Sequence, residues 1–280
     1  MSNTIYRRKS ALDRFYTHPD VARECWARTV SLFDTKSFDL FLEPSAGNGS
    51  FFRLLPHDAR RGIDLDPRDA GIERGDFLAI FGPSEERVLT IGNPPFGRVA
   101  ATAVRFFNRA ASFSTVIAFI LPRTFRKISV QNKLDARFHL KAEWDLPKNA
   151  FLLDGSPYDV PCCFQIWEKR ASPRARPTER IDNHVFEFAS KDRADFAVRR
   201  VGGKAGKCSR DLATAAEVSH YFLKLKDPKL DRRAVMDFID GLDLSKIVNA
   251  TAGVRSLSKP EFVESFFTHW RQTPPGQTPR

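Results

Sequence analysis

Asn93-Pro94-Pro95-Phe96, which closes the apolar run of Val88, Leu89 and Ile91, is a set of residues whose types and order can do chemistry. Proline fixes its own φ and restricts the residue before it, so Asn93 and Pro94 are held extended. The Asn93 side chain and nearby backbone carbonyls can then point into one small volume. Such a cluster of acceptors suits a planar, weakly nucleophilic NH2 group, for example the exocyclic amine of adenine or a carboxamide. Phe96 offers a face on which a flat substrate can stack. Pro-Pro after a strand is also an ordinary turn, so the weight of this loop depends on its company.

A second motif lies upstream. Phe38 to Leu42 reads as a buried strand that runs into Glu43-Pro44-Ser45-Ala46-Gly47-Asn48-Gly49-Ser50-Phe51. A strand ending in an acidic residue and a Gly-rich turn is how open α/β sheets meet nucleotide-like ligands at their carboxyl edge. Gly47-Asn48-Gly49 lacks the third glycine of the dinucleotide fingerprint. Next come Gly62-Ile63-Asp64-Leu65-Asp66-Pro67, a short strand ending in carboxylates, and Gly75-Asp76-Phe77-Leu78. A carboxylate just past the second strand is placed for ribose hydroxyls. Asp76 can accept from an adenine amine while Phe77 lies against the ring.

With these motifs in order, residues 12 to 170 resemble the class I S-adenosylmethionine-dependent methyltransferases. More narrowly, they resemble the branch that modifies the N6 amine of adenine in nucleic acids. Phe15-Tyr16-Thr17-His18-Pro19 is similar to the segment that closes over the methionine end of the cofactor. The resemblance implies S-adenosyl-L-methionine held by Tyr16, Thr17, Glu43, Pro44, Ser45, Ala46, Gly47, Gly49, Asp64, Leu65, Asp76, Phe77 and Asn93. It makes Asn93, Pro94, Pro95 and Phe96 the catalytic loop. The expected fold is α/β: a Rossmann-like, seven-stranded methyltransferase sheet, mainly parallel with one antiparallel strand, plus a small α+β C-terminal unit.

The elements that must position these loops can be traced. Thr17-His18-Pro19-Asp20 reads as a helix start with Thr17 as the cap, and Val21, Ala22, Cys25, Trp26, Thr29, Val30 and Phe33 recur at helical spacing. Phe51 to Leu55 is expected as a short helix stopped by Pro56, and Val99 to Phe113 as a longer one. Val116 to Leu121, a segment between Leu134 and Pro147, and Cys162 to Trp167 are expected as strands. Strands alternating with helices argue for a sheet covered on both faces.

Further substrate contacts are expected from the loops that follow. Pro122 to Lys127 carries cations, among them Arg123 and Lys127, that can grip phosphates. Related enzymes place an aromatic near Pro147-Lys148-Asn149-Ala150-Phe151, which makes Phe151 a candidate second stacking face beside Phe96; Tyr158 and Asp159 could also line the pocket. Composition shifts from 171 to 181, dividing the chain into residues 1–170, a basic recognition unit 171–272 and a disordered tail 273–280. Arg199 to Lys207 offers cations and glycines, and Lys204 and Lys207 are candidates for the phosphate backbone. Ser258-Lys259-Pro260-Glu261 caps a final helix through Trp270.

Composition agrees. The formal net charge is +11, and the part after residue 170 holds 20 basic against 14 acidic residues. This favours a polyanionic partner, nucleic acid, with DNA slightly favoured over RNA. No apolar run spans a bilayer, and the polar Met1 to Ser10 shows no secretory signal. The four cysteines form no disulfide or zinc pattern and the six histidines are scattered, so no metal site is expected. A cytoplasmic protein is the simplest reading; the oligomeric state stays open. A glutamine N5-methyltransferase is the rival reading, because a carboxamide NH2 poses the same problem, although those enzymes commonly have Tyr at the position of Phe96.

Overall fold

Every residue of Leu40–Glu43 (β2) and Val88–Gly92 (β5) is buried, which a strand shows only when both its faces are covered. The computed structural model, which describes residues 15–80, 82–97, 100–176, 181–251 and 254–270, supplies the two covers. Helix Pro19–Val30 (α1) packs Val21, Ala22 and Cys25 against Phe41, Leu89 and Ile91. Helix Ala101–Ala111 (α2) packs Ala103, Phe106, Phe107 and Ala110 against Leu40, Leu42 and Val88. Alternate residues of each strand thus face different helices. The sequence signs placed outside the described residues are the N-terminal stretch Met1 to Ser10, Val99 and the tail from Thr273.

The remaining strands of the sheet are Arg60–Asp64 (β3), Glu73–Arg74 (β4), Ser114–Pro122 (β6), Phe138–Asp145 (β7) and Cys162–Lys169 (β10). They lie in the order β4-β3-β2-β5-β6-β10-β7. All pairs from β4 to β6 are parallel, and β10 runs antiparallel to both β6 and β7. This is the expected seven-stranded Rossmann-like sheet. Tyr16–Thr17 (β1), Phe151–Leu153 (β8) and Ser156–Tyr158 (β9) form a separate three-stranded sheet, β1-β8-β9.

Two local expectations are corrected. Thr17 pairs with Phe151 in β1, so it cannot cap α1; His18 does so, its Nδ1 accepting the Asp20 N–H at 3.2 Å. The segment after the Gly-rich loop is a three-residue 3-10 turn, Phe52–Leu54, because Pro56 leaves no room for an α-helix.

By its internal contacts the chain divides into two units. One holds residues up to Phe125 and Val130–Arg176; the other holds Arg126–Ser129 and the part from Pro177 onward. The first unit runs past residue 170 because the chain stays tied to the rim of β7: the Arg170 N–H donates to the Arg137 carbonyl at 2.9 Å and the Arg174 N–H to the Ala136 carbonyl at 2.7 Å.

The second unit is α+β. Phe186–Phe188 (β11), Phe196–Arg199 (β12), Cys208–Ser209 (β13) and His220–Leu225 (β14) form an antiparallel sheet ordered β11-β14-β12-β13. Its Phe186, Phe196, Val198 and Leu223 pack on helices Arg232–Gly241 (α3) and Lys259–Trp270 (α4) through Met236, Ile239, Phe262 and Phe266. The start of α4 is a capping box: the Ser258 N–H donates to Glu261 Oε2 at 2.9 Å and the Glu261 N–H to Ser258 Oγ at 3.4 Å.

That same Glu261 oxygen accepts from Lys127 Nζ at 3.0 Å, and the ammonium also donates to the carbonyls of Ser256 at 2.8 Å and Ile247 at 3.1 Å. Lys127 is 9% and Glu261 5% exposed. Lys127 is therefore a buried structural cation rather than a phosphate grip: three acceptors already take its three protons. Removing one partner leaves the other buried and uncompensated. Lys127→Ala is expected to lower the unfolding free energy by about 3–5 kcal/mol, read as a fall in the urea midpoint, and Lys127→Met/Glu261→Gln, which removes the unpaired charge but keeps an acceptor for the Ser258 N–H, should recover part of it.

Candidate active site

From β2 the chain steps outward through β3 to β4, then returns to β5 on the other side of β2. The loops leaving β2 and β5 therefore part, and a crevice opens at the carboxyl ends of the strands. A cavity of about 500 Å³ lies there, a size suited to a nucleotide-sized ligand. It is lined by Pro44, Ser45 and Gly47 after β2, Asp64, Leu65 and Asp66 at the end of β3, and Asp76 and Phe77 after β4. Asn93, Pro94, Pro95 and Phe96 close it from β5, and Phe15 and Tyr16 from β1.

The Gly-rich loop is held from within. The Gly47 N–H donates to Asp64 Oδ2 at 2.8 Å, and the Asp66 N–H to Asp64 Oδ1 at 2.8 Å. Gly47 has φ +49°, and a Cβ there would come within 2.9 Å of the Tyr16 ring. Only glycine fits between that ring and Asp64. Asp76 Oδ1 accepts the Leu78 N–H at 2.9 Å, which turns the chain at the end of β4. Leu65 is 70% exposed although apolar, while Phe77 is buried against Phe106 with ring centroids 5.2 Å apart.

Asn93 is fixed by two contacts. Its Nδ2 donates to the Phe15 carbonyl at 3.2 Å, and its own carbonyl accepts from Ser45 Oγ at 3.0 Å. The first contact settles which end of the carboxamide is which, since a flipped amide would set two oxygens against each other. The remaining atom, Asn93 Oδ1, is buried and has no hydrogen-bond partner among the described residues. A buried, unsatisfied acceptor is unfavourable by about 1–3 kcal/mol, and a donor brought by a ligand would relieve it.

Some residues singled out from the sequence lie behind the cavity wall. Thr17 is buried and acts through its carbonyl, which accepts from Ser50 Oγ at 2.9 Å. Ala46 and Gly49 shape the loop: the Ala46 N–H donates to the Ile63 carbonyl and the Gly49 N–H to that of Ala46. Glu43 is 3% exposed, and a Cβ on Gly92 would lie 3.2 Å from its Cγ, so it sits beneath the residue that precedes Asn93. Its Oε2 has no hydrogen-bond partner among the described residues. Burial pushes the carboxyl well above the usual carboxylate range and the Asp64 charge adds to this, against the Phe52 backbone N–H and Arg53.

Others lie elsewhere. Phe151 is fully buried beside Ala150, Phe164 and Cys162, because the pairing of β8 with β1 turns it inward. It is a core residue, and no ring face is left for a base. Tyr158, 41% exposed, instead stacks on Phe15 at 4.8 Å. Arg123 Nε faces Asp145 Oδ1 at 3.1 Å. Lys204 and Lys207 are exposed on the second unit. Phe15, Asp66 and Leu78, which belong to the sequence motifs without a role of their own, and Thr102 and Phe106, which belong to none, also line the cavity. Of these, Asp66 had a sequence signal in its place two residues after Asp64, and Phe106 in the apolar stripe of α2. Among the described residues no cluster able to hold a metal ion is found, and no helix is long and apolar enough to cross a membrane.

No family model and no curated protein matches the sequence. Solved structures resemble the fold. A candidate RNA methyltransferase of Pyrococcus horikoshii, PH1948, shares 17% identity over 57% of this chain and 88% of its own, with a TM-score of 0.44. A candidate class I S-adenosylmethionine-dependent methyltransferase of Listeria monocytogenes, lmo1582, shares 12% over 58% of this chain and 63% of its own, also at 0.44. The 23S rRNA methyltransferase ErmE shares 14% over 90% of this chain and 98% of its own, at 0.40. At these values the functional reading rests on the residues of the site.

The Glu43 environment has a measurable consequence. An acid whose folded pKa is raised stabilises the fold fully below its unfolded pKa, about 4.3 for Glu. It loses that contribution as pH rises toward the folded value. Glu43→Gln, which cannot ionise, should therefore gain on the wild type as pH increases. Urea midpoints of both proteins at pH 5 and pH 8 are expected to show a larger advantage for Glu43→Gln at pH 8; an equal difference at both would mean that Glu43 titrates normally.

Proposed function

We propose that this chain transfers a methyl group from S-adenosyl-L-methionine to the exocyclic N6 amine of adenine in nucleic acid, DNA slightly favoured over RNA. The observation that carries the reading is the Asn93 carboxamide: one end is fixed on Phe15, and the other is a buried acceptor with no partner among the described residues, in a cavity bordered by carboxylates.

The residues present fit the cofactor. It is cationic at its sulfonium and ammonium groups, and the carboxylates of Asp64 and Asp76 line the cavity, while Asp66 is paired with Arg68. Leu65 offers exposed apolar surface for its adenine where Phe77 forms the wall, Asp64 a carboxylate for its ribose, and Gly47 close backbone approach beside Tyr16. When bound, it supplies an electrophilic methyl group.

The acceptor amine is a poor nucleophile because its lone pair is delocalised into the ring. Asn93 Oδ1, and the Pro94 carbonyl beside it, accept its N–H protons. These hydrogen bonds favour a pyramidal nitrogen whose lone pair is free to attack. Because Phe15 already holds the Asn93 amide, the acceptor need not reorient during reaction, which is electrostatic preorganisation. After transfer the nitrogen sheds its extra proton to water. A base within a duplex must first be flipped out, at about a few kcal/mol, and stacking on Phe96 offsets part of that.

Purified protein incubated with methyl-labelled S-adenosylmethionine and duplex DNA, single-stranded DNA, RNA or protein extract is expected to yield N6-methyladenine in one of the nucleic acids. Asn93→Ala should lower turnover by about 100- to 1000-fold and leave cofactor affinity, read by calorimetry, much less changed. Wild-type turnover in Asn93→Ala would overturn the mechanism, and label confined to protein glutamine would overturn the substrate.

A further inference from the structure

A cation can hold a phosphate chain only if a carboxylate has not already neutralised it. Many arginines of the first unit are so neutralised: Arg53 by Asp69, Arg61 by Glu73, Arg87 by Asp39, Arg123 by Asp145 and Arg137 by Asp135. The cations first expected to meet phosphates, Arg123 and Lys127, belong to this paired class.

One surface of the second unit is different. Arg199 Nε donates to the Val201 carbonyl at 3.1 Å. Arg200 Nε and Nη2 donate to the Val218 carbonyl at 3.2 and 2.9 Å. Lys207 Nζ donates to the Asp240 carbonyl, and Arg255 Nη1 to the Gly203 carbonyl at 3.5 Å. A backbone carbonyl orients a cation without cancelling its charge. Among the described residues none of these four, nor the exposed Lys204, forms an ion pair. The acids beside this surface are Asp240, whose Oδ1 accepts the Cys208 N–H at 2.8 Å, and Asp243, whose carboxyl is held below its usual range mainly by Ser245 and in part by Lys207.

The five cations lie on two chain segments that are hydrogen-bonded to each other. The Gly202 N–H donates to the Arg255 carbonyl at 2.9 Å, the Leu257 N–H to the Arg200 carbonyl at 2.8 Å, and Val201 bridges to Ser256. The hairpin tip is open, since a side chain added at Gly203 would meet nothing within 4 Å. Val218 and Val254, 77% and 72% exposed, flank the cations with apolar surface.

We propose that this face, built from residues 199–207 and 254–256, binds the sugar–phosphate chain of a nucleic acid. It would hold the polymer by its phosphates and position it without reading bases. Arg200 directs two of its five N–H donors to Val218 and lies over the Tyr221 ring, 5.8 Å from its centroid, so its charge is oriented without being cancelled. A ligand with one charge per repeat can meet several such cations together. The identity of the polymer rests on the function proposed above, whereas the site rests on the uncompensated charge.

The test measures binding alone. Fluorescence anisotropy of labelled single-stranded DNA, RNA and duplex DNA is followed from about 50 to 200 mM salt with the full chain. Two variants each lose three charges: Lys204→Gln/Lys207→Gln/Arg255→Gln on the proposed face, and Arg61→Gln/Arg87→Gln/Arg137→Gln among paired cations. For duplex DNA the slope of log affinity against log salt should shrink by about 2–3 in the first variant, near 0.9 per lost contact, and by less than about 1 in the second. Should circular dichroism show the first variant misfolded, Lys204→Gln/Arg255→Gln is read instead, with a loss of about 2 expected. Equal slopes in both variants, or no polymer bound by the wild type, overturns the proposal. Methyl transfer is not read, so this result and the failure of Asn93→Ala to lose activity are independent outcomes.

Discussion

The hydrogen bond from Ser45 Oγ to the Asn93 carbonyl joins two loops 48 residues apart in sequence. It exists because β2 and β5 are neighbours whose connections depart in opposite directions. The reversal of strand order opens the crevice, and the bond keeps its two sides in register. The Gly47 contact to Asp64 extends the frame to β3, and the Phe15 contact to Asn93 extends it to the small β1-β8-β9 sheet. Segments at the ends of four strands thus frame Asn93, whose carboxamide itself is held by the Phe15 carbonyl. Its orientation is a property of the sheet, not of the Asn-Pro-Pro sequence alone, although the prolines keep the intervening backbone from relaxing.

The two orphaned acceptors near this point differ in kind. Asn93 Oδ1 is neutral, so leaving it unsatisfied is a modest and constant strain. Glu43 is ionisable, so its burial is relieved by taking up a proton, as its raised pKa expresses. A cationic ligand arriving nearby would favour the charged form again, so binding there would be linked to proton release from Glu43.

Much of this was legible from the sequence because it is carried by local pattern. The strands around Leu40, Val88 and Val116 follow from apolar runs, and the loops after them from Gly, Pro and acidic residues in sequence. The capping box at Ser258 was legible for the same reason. What failed was decided by partners distant in sequence. Lys127 looks like a free cation until Glu261, 134 residues later, is placed against it. Phe151 looks like any loop aromatic until pairing with Thr17 fixes which way it faces. Thr17 is a good helix cap by type, yet the strand pairing takes it first. The anchoring of Asn93 by a backbone carbonyl could not be read from residue types at all, since every residue has one.

Charge pairing also explains how a chain of net charge +11 can present a site suited to a cation. At physiological salt an exposed charge is felt over about 8 Å, so the sign of a site is set by its immediate lining rather than by the total. Around the cavity, acids end consecutive strands, and several neighbouring arginines are tied to acids: Arg53 to Asp69, Arg61 to Glu73, Arg68 to Asp66. Those pairs add little stability at the surface. Their effect is local neutrality, which leaves Asp64 and Asp76 to set the field of the crevice. In the hairpin of the second unit the arginines are held by carbonyls instead, and the positive charge survives. The choice between carboxylate and carbonyl as the partner of an arginine, made residue by residue, separates a surface fit for a cation from one fit for a polyanion within a single chain.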